Sequence, residues 1–293
     1  MGTMHHWALV TLLGAVYAAA PHADEASSVL EIDDAAYGET GHERCRMDIF
    51  TPPDDVANGV AVLLIHGGGW RDGDKTRWRS LATYLAERGY VCASIGYRLL
   101  PEHRFPTQIE DVRSAMAAFM DRADELAFDP GRVGVVGSSA GGQLAALLAT
   151  IAPDDALGAG EDLTRRDTRP AAAVLYNPVL DFTDDPNRAA RYEGLFGGPL
   201  EEKRTLYEQA SPARRVDDAF PPVLMLYGTQ DTLTPVTTAF PMADRLSELG
   251  VPCEIAVFPG QEHGFGYGLG NAEQRRAAAM AAAFLDRYLL SRS

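Results

Sequence analysis

From about residue 46 onward, short apolar runs alternate with amphipathic stretches, the rhythm of strands and helices around a mostly parallel sheet. Val60 to Ile65 is apolar throughout and predicts a buried strand, followed by a helix over Thr76 to Arg88 and a strand over Val91 to Tyr97. The series continues with helix Thr107 to Asp121, strand Arg132 to Val136, helix Ala140 to Ile151, and strands Ala171 to Leu175 and Pro222 to Tyr227. Helix Thr237 to Leu249, strand Glu254 to Phe258 and an alanine-rich helix Ala272 to Leu290 complete it. The expected fold is a three-layer α/β sandwich with a mostly parallel central sheet. Ala152 to Pro170 and Asp181 to Pro212 lack a clean period. Each is too short for a domain, so both are expected to be loops or small helical insertions over the sheet.

Ahead of this pattern, Trp7 to Ala20 is an apolar run too short to span a bilayer and similar to the core of a secretory signal. Val16 and Ala18 offer a cleavage site after Ala18, although Met1 to His6 holds no Lys or Arg. Residues 1–23 are therefore assigned as a signal peptide and leader, and 24–293 as one domain, secreted or periplasmic. A cytoplasmic protein with an N-terminal helix is the alternative. Over 293 residues, 46% are hydrophobic and 23% charged, which excludes a disordered chain or a coiled coil. With 41 acidic against 26 basic residues the formal charge is −15, which argues against a nucleic acid or an anionic membrane as partner. Cys45, Cys92 and Cys253 are too few for a disulfide scaffold or a zinc ribbon and allow at most one bridge.

Two glycine-rich segments carry the chemistry. Gly137-Ser138-Ser139-Ala140-Gly141 joins a predicted strand to a predicted helix as G-x-S-x-G, a nucleophile elbow. The turn is tight enough that a side chain at Gly137 or Gly141 would strike neighbouring backbone. It presents Ser139 at the strand end, beside a helix N-terminus whose N–H groups can receive a developing oxyanion. His66-Gly67-Gly68-Gly69-Trp70 follows directly after the first buried strand, and its glycines allow backbone N–H groups to approach a substrate. A phosphate-binding loop would need Gly-Lys-Ser/Thr at its end, which is absent.

A serine nucleophile needs a base, and the base an orienting acid. Of seven histidines, His5, His6 and His22 fall in the leader, His42 precedes the core, His103 lies in a polar proline-rich loop, and His66 shapes the glycine loop. His263 remains, just after the strand Glu254 to Phe258. Asp231 follows the strand Pro222 to Tyr227, and both sit at the carboxyl edge where an open α/β sheet places its site. Asp181 is the rival acid. Trp70, Tyr97, Tyr176 and Phe265 fall at predicted strand ends as candidate pocket residues, with core packing the competing role for each. Gly264, Gly266, Gly268 and Gly270 do not form a dinucleotide fingerprint, and neither H-E-x-x-H nor C-x-x-C occurs, so no cofactor or metal is expected.

Together these segments resemble the α/β-hydrolase serine esterases near hormone-sensitive lipase, especially the bacterial carboxylesterases grouped with acetylxylan and feruloyl esterases. The matching strings are His66 to Lys75, Gly96 to Leu99 with Pro101 to His103, Phe105-Pro106 with Gln108, Glu110 and Asp111, then Asp129 to Val133, Gly137 to Gly142, Ala210 to Pro212 and the loops at Asp231 and His263. The resemblance covers about residues 45 to 290. It implies Ser139 as nucleophile, His263 as base and then acid, and Asp231 as orienting acid. Gly67, Gly68 and Ala140 would be the oxyanion donors, with Asp111 in a supporting loop network. Many relatives carry Asp or Glu where this chain has Ser138, and the short lead before His66 leaves room for only a minimal cap. The expected activity is hydrolysis of short-chain, small aryl or sugar esters. An amidase, formamidase or peptidase with the same triad is the first alternative; a non-catalytic binding protein on this fold is the second.

Overall fold

The computed structural model describes residues 8–9, 29–155, 157–158, 163 and 165–291. The leader assigned to residues 1–23 lies outside them, apart from Ala8 and Leu9, which pair parallel with the sheet edge at Glu254 and Ile255. Among the described residues eight strands follow: β1 (Leu30–Ala36), β2 (Arg46–Thr51), β3 (Val60–Ile65), β4 (Tyr90–Ile95), β5 (Val133–Ser138), β6 (Ala172–Tyr176), β7 (Val223–Gly228) and β8 (Cys253–Phe258). Their order across the sheet is β1-β2-β4-β3-β5-β6-β7-β8. β2 runs antiparallel to β1 and β4, and every other pairing is parallel. This is the α/β-hydrolase fold.

The two-residue period of each strand divides the core between the two faces of the sheet. In β3, Ala61, Leu63 and Ile65 belong to the core of one face, to which α2 (Thr107–Asp121), α3 (Ala140–Leu148) and α5 (Phe240–Glu248) contribute Ile109, Met116, Leu144 and Met242. Val60, Val62 and Leu64 belong to the core of the other face, to which α1 (Arg79–Ala86) and α6 (Ala272–Leu285) contribute Leu81, Leu85 and Phe284. α4 (Leu200–Gln209) and the short helix Glu193–Phe196 occupy the stretch 181–212 as small helical insertions.

The expected helix Thr76 to Arg88 is divided. Asp74 accepts from the Thr76 backbone N–H at 2.8 Å and caps a 3₁₀ turn, Lys75–Trp78, before α1 begins at Arg79. The last helix likewise ends at Leu285 and continues as a single π turn to Leu290. β1 and β2 carry too little apolar alternation to have been delineated. β1 is an exposed, acidic edge, and Asp48 inside β2 is buried because Lys75 Nζ pairs with it at 2.7 Å. The three cysteines are buried and free.

Candidate active site

The carboxyl ends of β3, β5, β6, β7 and β8 converge on one cleft. β5 ends at Ser138, and Ser139 turns the chain into α3 with φ 55° and ψ −118°. A non-glycine residue holds such a conformation only when its surroundings over-determine it, at about 1–3 kcal/mol. They do here. A Cβ on Gly137 would stand 2.2 Å from the Gly141 carbonyl oxygen, and one on Gly141 would stand 2.1 Å from Ile65 O and 2.4 Å from His66 O. The Ser139 N–H donates to Tyr176 O at 2.8 Å, tying the turn to β6. Elbow and glycine loop are thus in backbone-to-backbone contact, and only glycine fits between them.

His66 anchors that loop. It is fully buried, its ring stacks on Tyr97 with centroids 4.3 Å apart, and Nδ1 lies 2.8 Å from Gly67 O. Burial pushes the imidazole down to about 4, against the raising effect of the Gly67 contact, so the ring stays neutral at neutral pH. Gly68 takes φ +123°, with Asp72 O 2.0 Å from where its Cβ would be. Asp111 supports the neighbouring segment by accepting from the Arg98 backbone N–H at 2.8 Å and from its guanidinium at 2.6 Å. Ser138 is buried, and its hydroxyl has no hydrogen-bond partner among the described residues.

His263 Nε2 lies 2.7 Å from Ser139 Oγ, and His263 Nδ1 lies 2.8 Å from Asp231 Oδ2. Asp231 is buried, and each of its oxygens is engaged. Oδ1 accepts from the Leu233 and Thr234 backbone N–H groups at 2.8 Å, while Oδ2 also accepts from Asn177 Nδ2 at 2.7 Å and Thr234 Oγ1 at 2.9 Å. Burial alone would raise this carboxyl, yet the bonds from His263 and Thr234 hold it below its ordinary value and keep it ionised. The rival Asp181 is engaged elsewhere, by Thr183 and by Arg214 at 3.0 Å.

The cleft encloses about 510 Å³ and is lined by the glycine loop, Ser139 and His263, with Trp70, Tyr192, Val179 and Leu233 as its apolar wall. Trp70 packs edge-on to Tyr192 and tilted on Phe182, and its Nε1 donates to Gln143 Oε1 at 3.0 Å. Of the four aromatics expected at the pocket, Trp70 lines it. Tyr97, Tyr176 and Phe265 are packed beneath it: Tyr97 under His66, Tyr176 against Trp78, and Phe265 between Tyr176 and Phe258. The N–H groups of Gly68 and Ala140 have no partner among the described residues, whereas the Gly67 N–H donates to Tyr267 Oη at 2.5 Å.

Sequence reasoning passed over Asn177, Thr234, Gln143 and Tyr267. Asn177 had a signal: it follows β6 at the same sheet edge, with φ 47°, a conformation in which Asn is enriched. Thr234 bonds locally to Asp231, three residues earlier, whereas Gln143 and Tyr267 act through contacts that no local pattern encodes.

A family model described as BD-FAE matches residues 47–246. The chain belongs to this family of α/β-hydrolase esterases. This BD-FAE protein is 33% identical over 262 residues to LipM of Mycobacterium tuberculosis, a probable carboxylic ester hydrolase, covering 86% of the chain and 60% of LipM. It is 34% identical over 236 residues to the ethyl acetate hydrolase of Pseudomonas putida, covering 74% of the chain and 70% of that protein. Among solved structures, the propionate-bound Est2 esterase of Thermogutta terrifontis aligns with a TM-score of 0.70 at 27% identity, over 85% of this chain and 92% of that one. A truncated carbohydrate esterase from gut microbiota reaches 0.76 at 20% identity, over 88% of this chain and 96% of that one, which is a likeness of fold.

Proposed function

We propose that this chain is a serine carboxylesterase acting on esters of short acids, with Ser139 as nucleophile, His263 as base and then acid, and Asp231 as the orienting carboxylate. The observation that carries the reading is the continuous chain Asp231–His263–Ser139, with links of 2.8 and 2.7 Å, opening into the cleft. His263 takes the Ser139 proton as Oγ attacks the ester carbonyl, then delivers it to the departing alcohol. Water, deprotonated by the same imidazole, releases the acid and regenerates Ser139. The bonds on Asp231 hold the imidazole with Nδ1 toward the carboxylate and leave Nε2 as the base. Gly68 and Ala140 offer free N–H groups to the oxyanion at the elbow and the helix N-terminus.

In this reading the acyl group packs on the apolar wall of Trp70, Tyr192, Val179 and Leu233. The preference for short acids is taken from the relatives, the ethyl acetate hydrolase and the propionate-bound structure. Sugar acetates fit the same reading, because the stretch 181–212, which supplies Arg191 and Tyr192 to the cleft, holds only short helices. The test is turnover of p-nitrophenyl esters of increasing acyl length beside acetylated xylan and methyl ferulate, with Ser139→Ala as control. Activity highest on acetate to butyrate esters and abolished in the variant is expected. Equal turnover by the variant overturns the reading.

A further inference from the structure

Tyr267 sits four residues beyond His263, in the 3₁₀ turn Phe265–Tyr267, and lines the cleft beside Ser139 and the glycine loop. Its ring is held from two sides: Trp78 packs against it with centroids 4.7 Å apart, and the Arg77 guanidinium lies 5.7 Å over it. The turn is set by the glycines around it, since a Cβ on Gly266 would stand 2.4 Å from the Tyr176 ring. The phenol oxygen is thereby fixed 2.5 Å from the Gly67 N–H, which it accepts. A Cβ on Gly67 would stand 2.8 Å from this hydroxyl and 3.0 Å from Ser139 Cβ, so hydroxyl and nucleophile flank the same glycine.

An oxygen that accepts this N–H must direct its own proton elsewhere. Among the described residues Tyr267 donates to no acceptor, and the cleft is the space it faces. We propose that the Tyr267 hydroxyl is a direct oxyanion donor, with the Gly67 N–H acting on the substrate through it rather than by contact. Accepting the N–H polarises the phenol and strengthens it as a donor. The oxyanion that forms when Ser139 Oγ attacks is then met by three donors: Tyr267 O–H, Gly68 N–H and Ala140 N–H. No proton changes owner at Tyr267. The hydrogen bond strengthens as negative charge gathers on the carbonyl oxygen and relaxes when the tetrahedral intermediate collapses.

This rests on the serine-esterase reading, and the experiment separates the two. Tyr267→Phe keeps the ring on Trp78 and under Arg77 and removes only the hydroxyl. On p-nitrophenyl butyrate, kcat is expected to fall on the order of 10²-fold, the usual effect of losing one oxyanion donor, with KM changed less than about twofold. Phosphonylation of Ser139 by a fluorophosphonate is expected to slow in parallel, and thermal unfolding to stay in place. Unchanged or higher kcat in a folded Tyr267→Phe overturns the proposal, because the hydroxyl would then only plug a hole served by Gly67 itself. Should the variant not fold, a crystal structure of the wild-type protein with a trifluoromethyl ketone on Ser139 decides. Tyr267 Oη within about 3 Å of the adduct oxygen supports the proposal, and a displaced ring with Gly67 N–H on that oxygen overturns it. A wild-type protein inert to every ester and to the fluorophosphonate would instead remove the esterase reading.

Discussion

Ser139 and the His263–Asp231 pair meet in one cleft but are held by different means. Around Ser139 the fitting is backbone against backbone: Gly137 on Gly141, Gly141 on Ile65 and His66, and the Ser139 N–H on β6. Around Asp231 the fitting is side chain and loop. Asn177, Thr234 and two loop N–H groups converge on one buried carboxylate, which in turn holds the imidazole. Backbone contact tolerates no added atom, so errors there should act on folding. Side-chain hydrogen bonds can be removed singly, so errors there should act on rate.

The largest effect expected from breaking this arrangement is on chemistry alone. Ser139→Ala or His263→Ala should lower kcat on the order of 10⁴-fold or more, with unfolding midpoints within a degree or two of wild type. Next comes the backbone fit. Gly141→Ala sets a methyl 2.1 Å from Ile65 O and should cost about 3 kcal/mol or more in urea unfolding. Gly69→Ala, at φ +61° with nothing within 4 Å of its Cβ, should cost only about 1–2 kcal/mol. Equal losses at the two glycines would contradict the steric account.

His66 sharpens the same contrast through pH. Its folded pKa is lowered, so the unfolded chain binds a proton that the folded protein refuses between its ordinary value of 6.5 and about 4. Stability should therefore fall as pH drops through that window, by up to about 3 kcal/mol from this residue. Urea unfolding at pH 7 and pH 4 measures the difference, and it should shrink in His66→Gln. The smallest effects belong to the acid loop. Thr234→Val and Asn177→Ala each remove one bond to the Asp231 carboxylate, and a loss of about 1.5 kcal/mol of transition-state stabilisation from the less firmly held imidazole should lower kcat about tenfold while the fold persists. Loss of folding in both would erase the distinction between the two constructions.

The same contrast explains how much was legible in the sequence. Glycines forced by backbone contact leave a fixed spacing, so Gly137, Ser139 and Gly141 and the His66 loop could be found as strings. Strands β3 to β8 were placed to within two residues, because their runs are mostly apolar and β3 to β7 are buried along their whole length. Asp231 and His263 followed from their position after two such strands. β1 and β2 did not follow, since an exposed edge needs few apolar residues and the burial of Asp48 depends on Lys75, which lies beyond β3 in the chain. Thr234, Gln143 and Tyr267 also stayed hidden: Gln143 and Tyr267 meet Trp70 and Gly67 from 73 and 200 residues away. The depth of the aromatics was equally unreadable. A strand-end position places Tyr97, Tyr176 and Phe265 near the site, but whether such a ring faces the cleft or the core depends on what packs against it.

The most direct measurement of the central claim is mass spectrometry of protein quenched in acid during turnover of p-nitrophenyl butyrate. The account requires one butyryl group, on the peptide containing Ser139, appearing within a turnover and absent from Ser139→Ala. Turnover with the butyryl group found on another residue, or undiminished in the Ser139→Ala protein, would contradict it.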